Sequence, residues 1–182
     1  MSITIDLKNA SEFTDLVISP LLAPETVSLQ TPGKETGDIR MLGAKALLSL
    51  GSQHKLSAEM IRRAGGSLAK WLKDNNITSA GVELDTLLGT GMAPSTSINA
   101  FVEGLLLGNF SFDNYKSGNI TKSTTLSLLI DGKTGVDQAD LLSFINKAKI
   151  IAEAVNLSRE WAHEPPNVIN PVSLSERVRV IA

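Results

Sequence analysis

Few residues in this sequence could carry chemistry. There are two histidines, His54 and His163, and no cysteine. A cysteine nucleophile, a disulfide framework and a thiolate-held zinc are excluded for this chain, and so is a histidine-rich metal site. His163 and Glu164 stand together before Pro165-Pro166. A His–Glu pair can move protons or ligate a metal. No further histidine and no spaced set of carboxylates completes such a site, so a structural or surface role is the plainer reading. His54, within Gln53-His54-Lys55, reads as exposed. Asp131, Asp137 and Asp140 form a loose acidic cluster, and turn and capping roles account for all three. Gly89-Thr90-Gly91 lies between a strand pattern and a helix pattern, where backbone amides can cradle phosphate. It lacks the third glycine of a dinucleotide fingerprint and the Lys-Ser/Thr of a P-loop. No Gly-x-Ser-x-Gly elbow occurs either. By themselves these residues make no catalytic constellation, and they imply no cofactor bound by this chain.

One charge feature rises above the background. Between residues 40 and 73 there are seven Lys or Arg and one acid, Glu59. At about 100° per residue, Lys55, Arg62, Arg63, Lys70 and Lys73 fall within a sector of roughly 100°. That sector lies opposite an apolar stripe of Met60, Ile61, Ala64, Leu68, Trp71 and Leu72. A basic helix face can meet nucleic-acid phosphates or an acidic partner, and it can equally be solvated. Aromatic interleaving is absent, because Trp71 belongs to the apolar stripe.

The elements that must position these residues alternate between α and β. Ile3-Thr4-Ile5-Asp6-Leu7 has the period of a half-buried strand. Strand character recurs at residues 16–18, and residues 39–50 are apolar without a clear period. Ser57 is a helix cap, and the helix after it contains Gly65-Gly66, which close packing against another backbone would explain. A strand is expected at residues 80–88. A helix capped by Ser95 or Thr96 follows, then a strand at 123–130. Asp137 and Asp140 resemble a capping pair for a helix of about 25 residues, ended by Pro165-Pro166. Such a length suits a strut between two bodies. A further helix begins near Pro171, with Ser173 or Ser175 close to its cap, and is still running at Ala182. That pattern suggests the front piece of a longer protein.

The 182 residues suffice for one domain with a real core. Apolar residues make up 42% and charged residues 20%, which excludes a disordered chain. A net charge of −2 excludes a general polyanion coat. No stretch approaches a membrane span and no secretory signal opens the chain, so the expected location is the cytoplasm.

Two longer segments are specific. The first is Ala100-Phe101-Val102-Glu103-Gly104-Leu105-Leu106-Leu107-Gly108-Asn109-Phe110-Ser111-Phe112-Asp113-Asn114-Tyr115-Lys116. The second runs Ala154-Val155-Asn156-Leu157-Ser158-Arg159-Glu160-Trp161-Ala162-His163-Glu164-Pro165-Pro166-Asn167-Val168-Ile169-Asn170-Pro171. Both resemble the leucyl aminopeptidase family, the M17 cytosol aminopeptidases, in order and separation. Phe110, His163 and Asn170 depart from the residues most usual there. The resemblance implies an α/β domain over residues 1–136, a macro-domain-like mixed sheet with helices on both faces. It implies a linker helix over 137–163 and the opening of a catalytic domain over 164–182. It further implies a parent that forms homo-hexamers and releases N-terminal amino acids from peptides with two divalent metal ions, zinc or manganese. Metal ligands and catalytic groups in that family lie beyond these residues, so no catalytic or metal position transfers to this chain. Some bacterial members bind DNA, which bears on the Lys55, Arg62, Arg63, Lys70 and Lys73 face.

Overall fold

A computed structural model describes residues 2–23, 32–115, 117, 123–131 and 135–181. Six strands form one sheet: β1 (Ser2–Asn9), β2 (Leu16–Leu21), β3 (Ile39–Leu42), β4 (Lys45–Ser49), β5 (Ser79–Glu83) and β6 (Ser123–Ile130). Their spatial order is β1-β6-β5-β2-β4-β3. Only β3 runs antiparallel to its neighbour, β4, and every other pairing is parallel. The α-helices among the described residues are α1 (Ala58–Asp74), α2 (Asp85–Leu88), α3 (Pro94–Gly108), α4 (Gln138–His163) and α5 (Pro171–Ile181). The fold is mixed α/β, the class expected from the alternation of periods.

The central strands are apolar where the core needs them. Ala80 and Val82 of β5 stand in register with Leu126 and Leu128 of β6, and Ile18 of β2 pairs with Val82. All five are fully buried. Gly81 points the other way, where a Cβ would lie 2.6 Å from Leu129 Cδ1 and 2.7 Å from the Phe13 ring. The ambiguous apolar stretch at 39–50 is the β3–β4 hairpin, turning at Gly43 with φ +61°. Residues 24–31, between β2 and β3, lie outside the described residues.

Several expected boundaries move. The strand expected to reach Leu88 stops at Glu83, and residues 85–88 are α2. Leu84 and Leu87 are both buried at a spacing of three, which a helical turn allows and strict alternation does not. Pro94 opens α3 after Ala93, with no side-chain cap from Ser95 or Thr96. Proline suits that first position because its missing N–H would have no intrahelical partner. Asp137 occupies the cap position of α4 without a side-chain hydrogen bond. Asn170 caps α5, and Ser173, expected close to the cap, is bonded back to it. Asn170 Oδ1 accepts from the amides of Val172 and Ser173 at 3.1 Å, while Ser173 Oγ accepts from the Asn170 amide at 2.9 Å.

The helices α1, α3 and α4 pack in sequence against one another. α1 and α3 cross on glycines. A Cβ at Gly65 would lie 2.4 Å from the Phe101 carbonyl oxygen, and one at Gly104 would lie 2.0 Å from the Arg62 carbonyl oxygen. A Cβ at Gly108 would meet Gly66 Cα at 2.6 Å. Close backbone approach is therefore why Gly65 is tolerated inside a helix, whereas at the next position the requirement falls on Gly108, since a Cβ on Gly66 itself would meet nothing closer than 3.6 Å. At 26 residues, α4 is about 39 Å long. It buries Leu141, Ile145, Ala148 and Ala152, and Lys149 donates to the carbonyl of Ile5 on edge strand β1 at 2.9 Å.

Candidate functional site

The last four carbonyls of a helix lack intrahelical donors. At the end of α3, two of them are met from α4. Asn156 Nδ2 donates to the Leu106 carbonyl at 3.1 Å, and Arg159 Nη1 donates to the Leu107 carbonyl at 3.1 Å. Arg159 also donates to Asn156 Oδ1 at 3.4 Å, and its guanidinium lies 5.9 Å from the centroid of the Phe110 ring. One turn on, His163 donates Nδ1–H to the Arg159 carbonyl at 2.7 Å. Its ring stands 5.7 Å from Phe110 and 5.5 Å from Phe112. Asn114 donates to Glu160 at 3.4 Å, and the Tyr115 hydroxyl donates to Glu164. The two segments that stood out in the sequence are thus the two sides of one clamp. Lys116, at the end of the first, lies outside the described residues. A cavity of about 710 Å³ opens between the two sides, lined in part by Phe112, Ile150, Leu157 and Ile181 with Glu153 and Glu160.

His163 and Glu164 are both spent on this clamp. The ring serves the helix end and the aromatic pair, while the carboxylate serves Tyr115. The two side chains are bonded to different partners, the Arg159 carbonyl and the Tyr115 hydroxyl. The hydrogen bond to Glu164 pushes the Tyr115 phenol above its ordinary value; burial and the Glu164 charge act the same way, and Arg177 opposes them.

The basic face divides. Lys55 is not on α1: residues Gln53–Lys55 form a 3₁₀ turn, and the helix begins only after Ser57, whose Oγ accepts from the Met60 amide at 3.4 Å. Arg62 is not free. Its guanidinium donates to Glu103 Oε2 at 3.0 Å through Nε and at 2.9 Å through Nη2, and to Glu59 at 2.7 Å. The Glu103 side chain is only 12% exposed. On the wheel Arg62 sits about 90° from the centre of the buried stripe, which places it on the seam with α3. Those bonds, to Glu103 first, raise its already high pKa, against desolvation. Arg63, Lys70 and Lys73 remain exposed on α1, and His54 is exposed in the preceding turn. Sequence reasoning missed Glu103 as a partner, although small residues four apart, Gly104 and Gly108, mark the face of α3 that α1 approaches.

The remaining candidates are structural. Thr90 Oγ1 lies 3.1 Å from the Leu87 carbonyl and 3.0 Å from Ser97 Oγ, so the Gly89-Thr90-Gly91 turn is tied inward between α2 and α3. Asp131, Asp137 and Asp140 make no metal set: among the described residues, no group of three or more His, Cys, Asp or Glu is placed to hold an ion. Among the same residues no helix is long and apolar enough to cross a membrane.

Comparison with known proteins covers the first clamp segment directly, since the family match ends at residue 119. The N-terminal domain of the cytosol aminopeptidase family matches residues 25–119, just over half of the chain. A probable cytosol aminopeptidase of Solibacter usitatus is 31% identical over 157 residues, covering 86% of this chain and 30% of that protein. Among solved structures, the bottromycin maturation enzyme BotP superposes with a TM-score of 0.75 at 18% identity, over 93% of this chain and 37% of its own. A tomato leucine aminopeptidase variant superposes with a TM-score of 0.70 at 17% identity, over all of this chain and 42% of its own. The chain thus spans under a third of the length of the Solibacter relative. It belongs to the cytosol aminopeptidase family, and the part of that family it represents is the N-terminal domain.

Proposed function

We propose that this chain is the non-catalytic N-terminal portion of a metal-dependent leucyl aminopeptidase, whose whole form removes N-terminal residues from peptides in the cytoplasm as a homo-hexamer. In this reading residues 1–136 are the macro-like domain, 137–163 the linker helix and 164–182 the opening of the catalytic domain. The observation that carries it is the family match over residues 25–119, in a chain spanning 30% of a relative named as an aminopeptidase. A structure of BotP in complex with Mn supports a divalent-metal enzyme. Two such ions, zinc or manganese, would activate a water and polarise the scissile carbonyl. In this reading their ligands and the chemical step belong to the part of the protein beyond this chain; among the described residues no group of three or more His, Cys, Asp or Glu is placed to hold an ion. Its own work is positional. Asn156 and Arg159 tie the second half of α4 to the end of α3, while Leu141, Ile145 and Ala148 of its first half join the domain core.

The test is a Leu-anilide assay with added manganese or zinc, on this chain and on the longest natural form of the protein. Activity in the long form and none in the chain supports the reading. Metal-dependent hydrolysis by the chain alone overturns it.

A second reading keeps the chain as a binding module for nucleic acid or an acidic partner. It rests on Arg63, Lys70 and Lys73 being exposed along α1, with Lys55 in the turn before it. Salt-sensitive DNA binding, lost on changing Arg63 and Lys70 to Glu, would favour it. No binding at low salt would dismiss it.

A further inference from the structure

A cationic cavity of about 560 Å³ lies beside the start of α1 and plays no part in the clamp. One wall is a single stripe of α1, Met60, Arg63 and Ser67, at spacings of three and four. The other walls are the segment before β3, carrying Lys34, Glu35 and Thr36, and the segment after β4, carrying Ser52 and Lys55. Both segments are held in place. The Gly37 amide donates to the Ser49 carbonyl at 2.8 Å, Thr36 Oγ1 to the Leu50 carbonyl at 3.4 Å, and the Gly51 amide to Ser49 Oγ at 3.1 Å. Gly37 and Gly51 have φ of +89° and +86°. A Cβ at Gly37 would lie 2.2 Å from Ser67 Oγ, and one at Gly51 would lie 2.4 Å from Thr36 Oγ1. Glycine at both positions lets the wall lie directly on α1.

Three cationic residues and one acidic residue line this cavity. Among the described residues, Lys34, Lys55 and Arg63 take part in no ion pair, whereas Lys45 has one and Arg62 two. Like charges gathered on one concavity repel, and a bound oxyanion removes that repulsion. The planar fork of Arg63 suits two phosphate oxygens at once, the lysines add point charge, and the Ser52 and Ser67 hydroxyls can donate. We infer that this cavity binds a small phosphate-bearing molecule, with Arg63, Lys34 and Lys55 as its charge partners. The volume falls within the range of small-molecule sites, roughly 300–1,000 Å³. A nucleic-acid backbone would call for a track of cations, yet Lys70 and Lys73 lie two or more turns along α1, outside the lining. The inference goes beyond the aminopeptidase reading and does not depend on it.

The test titrates pyrophosphate into the 182-residue chain at constant ionic strength, read by calorimetry and by amide chemical shifts. Saturable binding is expected, with shifts confined to residues 34–37, 52–55 and 63–67. Arg63→Glu should weaken it by about tenfold or more, and Lys55→Gln should weaken it less, because a charge-assisted bidentate contact is the stronger. Lys70→Glu should leave it unchanged. All three residues are exposed, and thermal melts without ligand separate lost binding from lost fold. Absence of saturable binding overturns the inference. So does equal weakening by Lys70→Glu, which would mean diffuse attraction. Binding of a short DNA duplex that depends on Lys70, with none of pyrophosphate, would overturn it in favour of the nucleic-acid reading.

Discussion

Arg159 of α4 donates to the carbonyl of Leu107 in the last turn of α3 at 3.1 Å, across 52 residues of sequence. This bond completes a helix end with a side chain from another helix. It fixes where α4 crosses α3 and therefore where α4 points. The Phe110 ring beneath the guanidinium and Asn156 beside it hold the arginine in that pose.

Replacing Arg159 by Met should cost about 1–3 kcal/mol, since a part-buried carbonyl loses a charged donor and the ring loses its cation. Lys in its place should recover only part, because it cannot reproduce the fork. Chemical denaturation of the three proteins checks this. Equal stability of all three would show that the clamp contributes nothing. Asn156→Ala should be non-additive with Arg159→Met, as the two side chains share a bond.

The glycines at the α1–α3 crossing should respond in opposite ways. Gly104→Ala places a methyl against the Arg62 backbone and should destabilise by about 1–3 kcal/mol or more. At Gly66 the nearest atom to an added Cβ is 3.6 Å away. Gly66→Ala should therefore be neutral or stabilise by up to about 1 kcal/mol through helix propensity. Thermal melts of the pair decide, and a reversed order would refute the crossing geometry.

Tyr115 is the only tyrosine, so tyrosinate absorbance reports it alone. Its hydrogen bond to Glu164 raises the folded-state pKa above the ordinary value of about 10. The stabilisation from this bond is thus fully present below that pH and is lost as pH climbs through the folded-state pKa. The native chain should titrate at a higher pH than the chain in urea, and Glu164→Gln should bring the native midpoint down. Identical native and unfolded midpoints would exclude the bond.

Arg62 should behave as a structural residue, not as part of a binding face. Arg62→Met leaves the Glu103 carboxylate, 12% exposed, without its partner and should cost about 1–3 kcal/mol. Arg63→Met, at an exposed position, should change stability by less than about 0.5 kcal/mol. Comparable losses at both positions would mean that the seam has been misplaced.

The residues themselves determined what depends on near neighbours. Helical spacing marked Ile61, Ala64, Leu68 and Leu72, all fully buried, and Ser57 was legible as their cap. The two long segments around Phe110 and Arg159 carried the family. Alternation failed at Leu84 and Leu87 because a short helical turn and a strand end look alike over so few residues.

Only the tertiary structure decided the fate of the basic face and of the strands. Arg62 counted as a free cation on a helical wheel because its half-buried partner Glu103 is 41 residues away; Glu59, three residues before it, was within reach of sequence reasoning. The insertion of β6 between β1 and β5 was equally invisible, since parallel pairing joins distant segments through backbone groups that every residue carries. The same holds for the cavity of Lys34, Lys55 and Arg63, which exists only because two left-handed glycines bring separate loops onto α1. Periodicity reports which side of an element is apolar; it does not report which other element that side, or its edge, will meet.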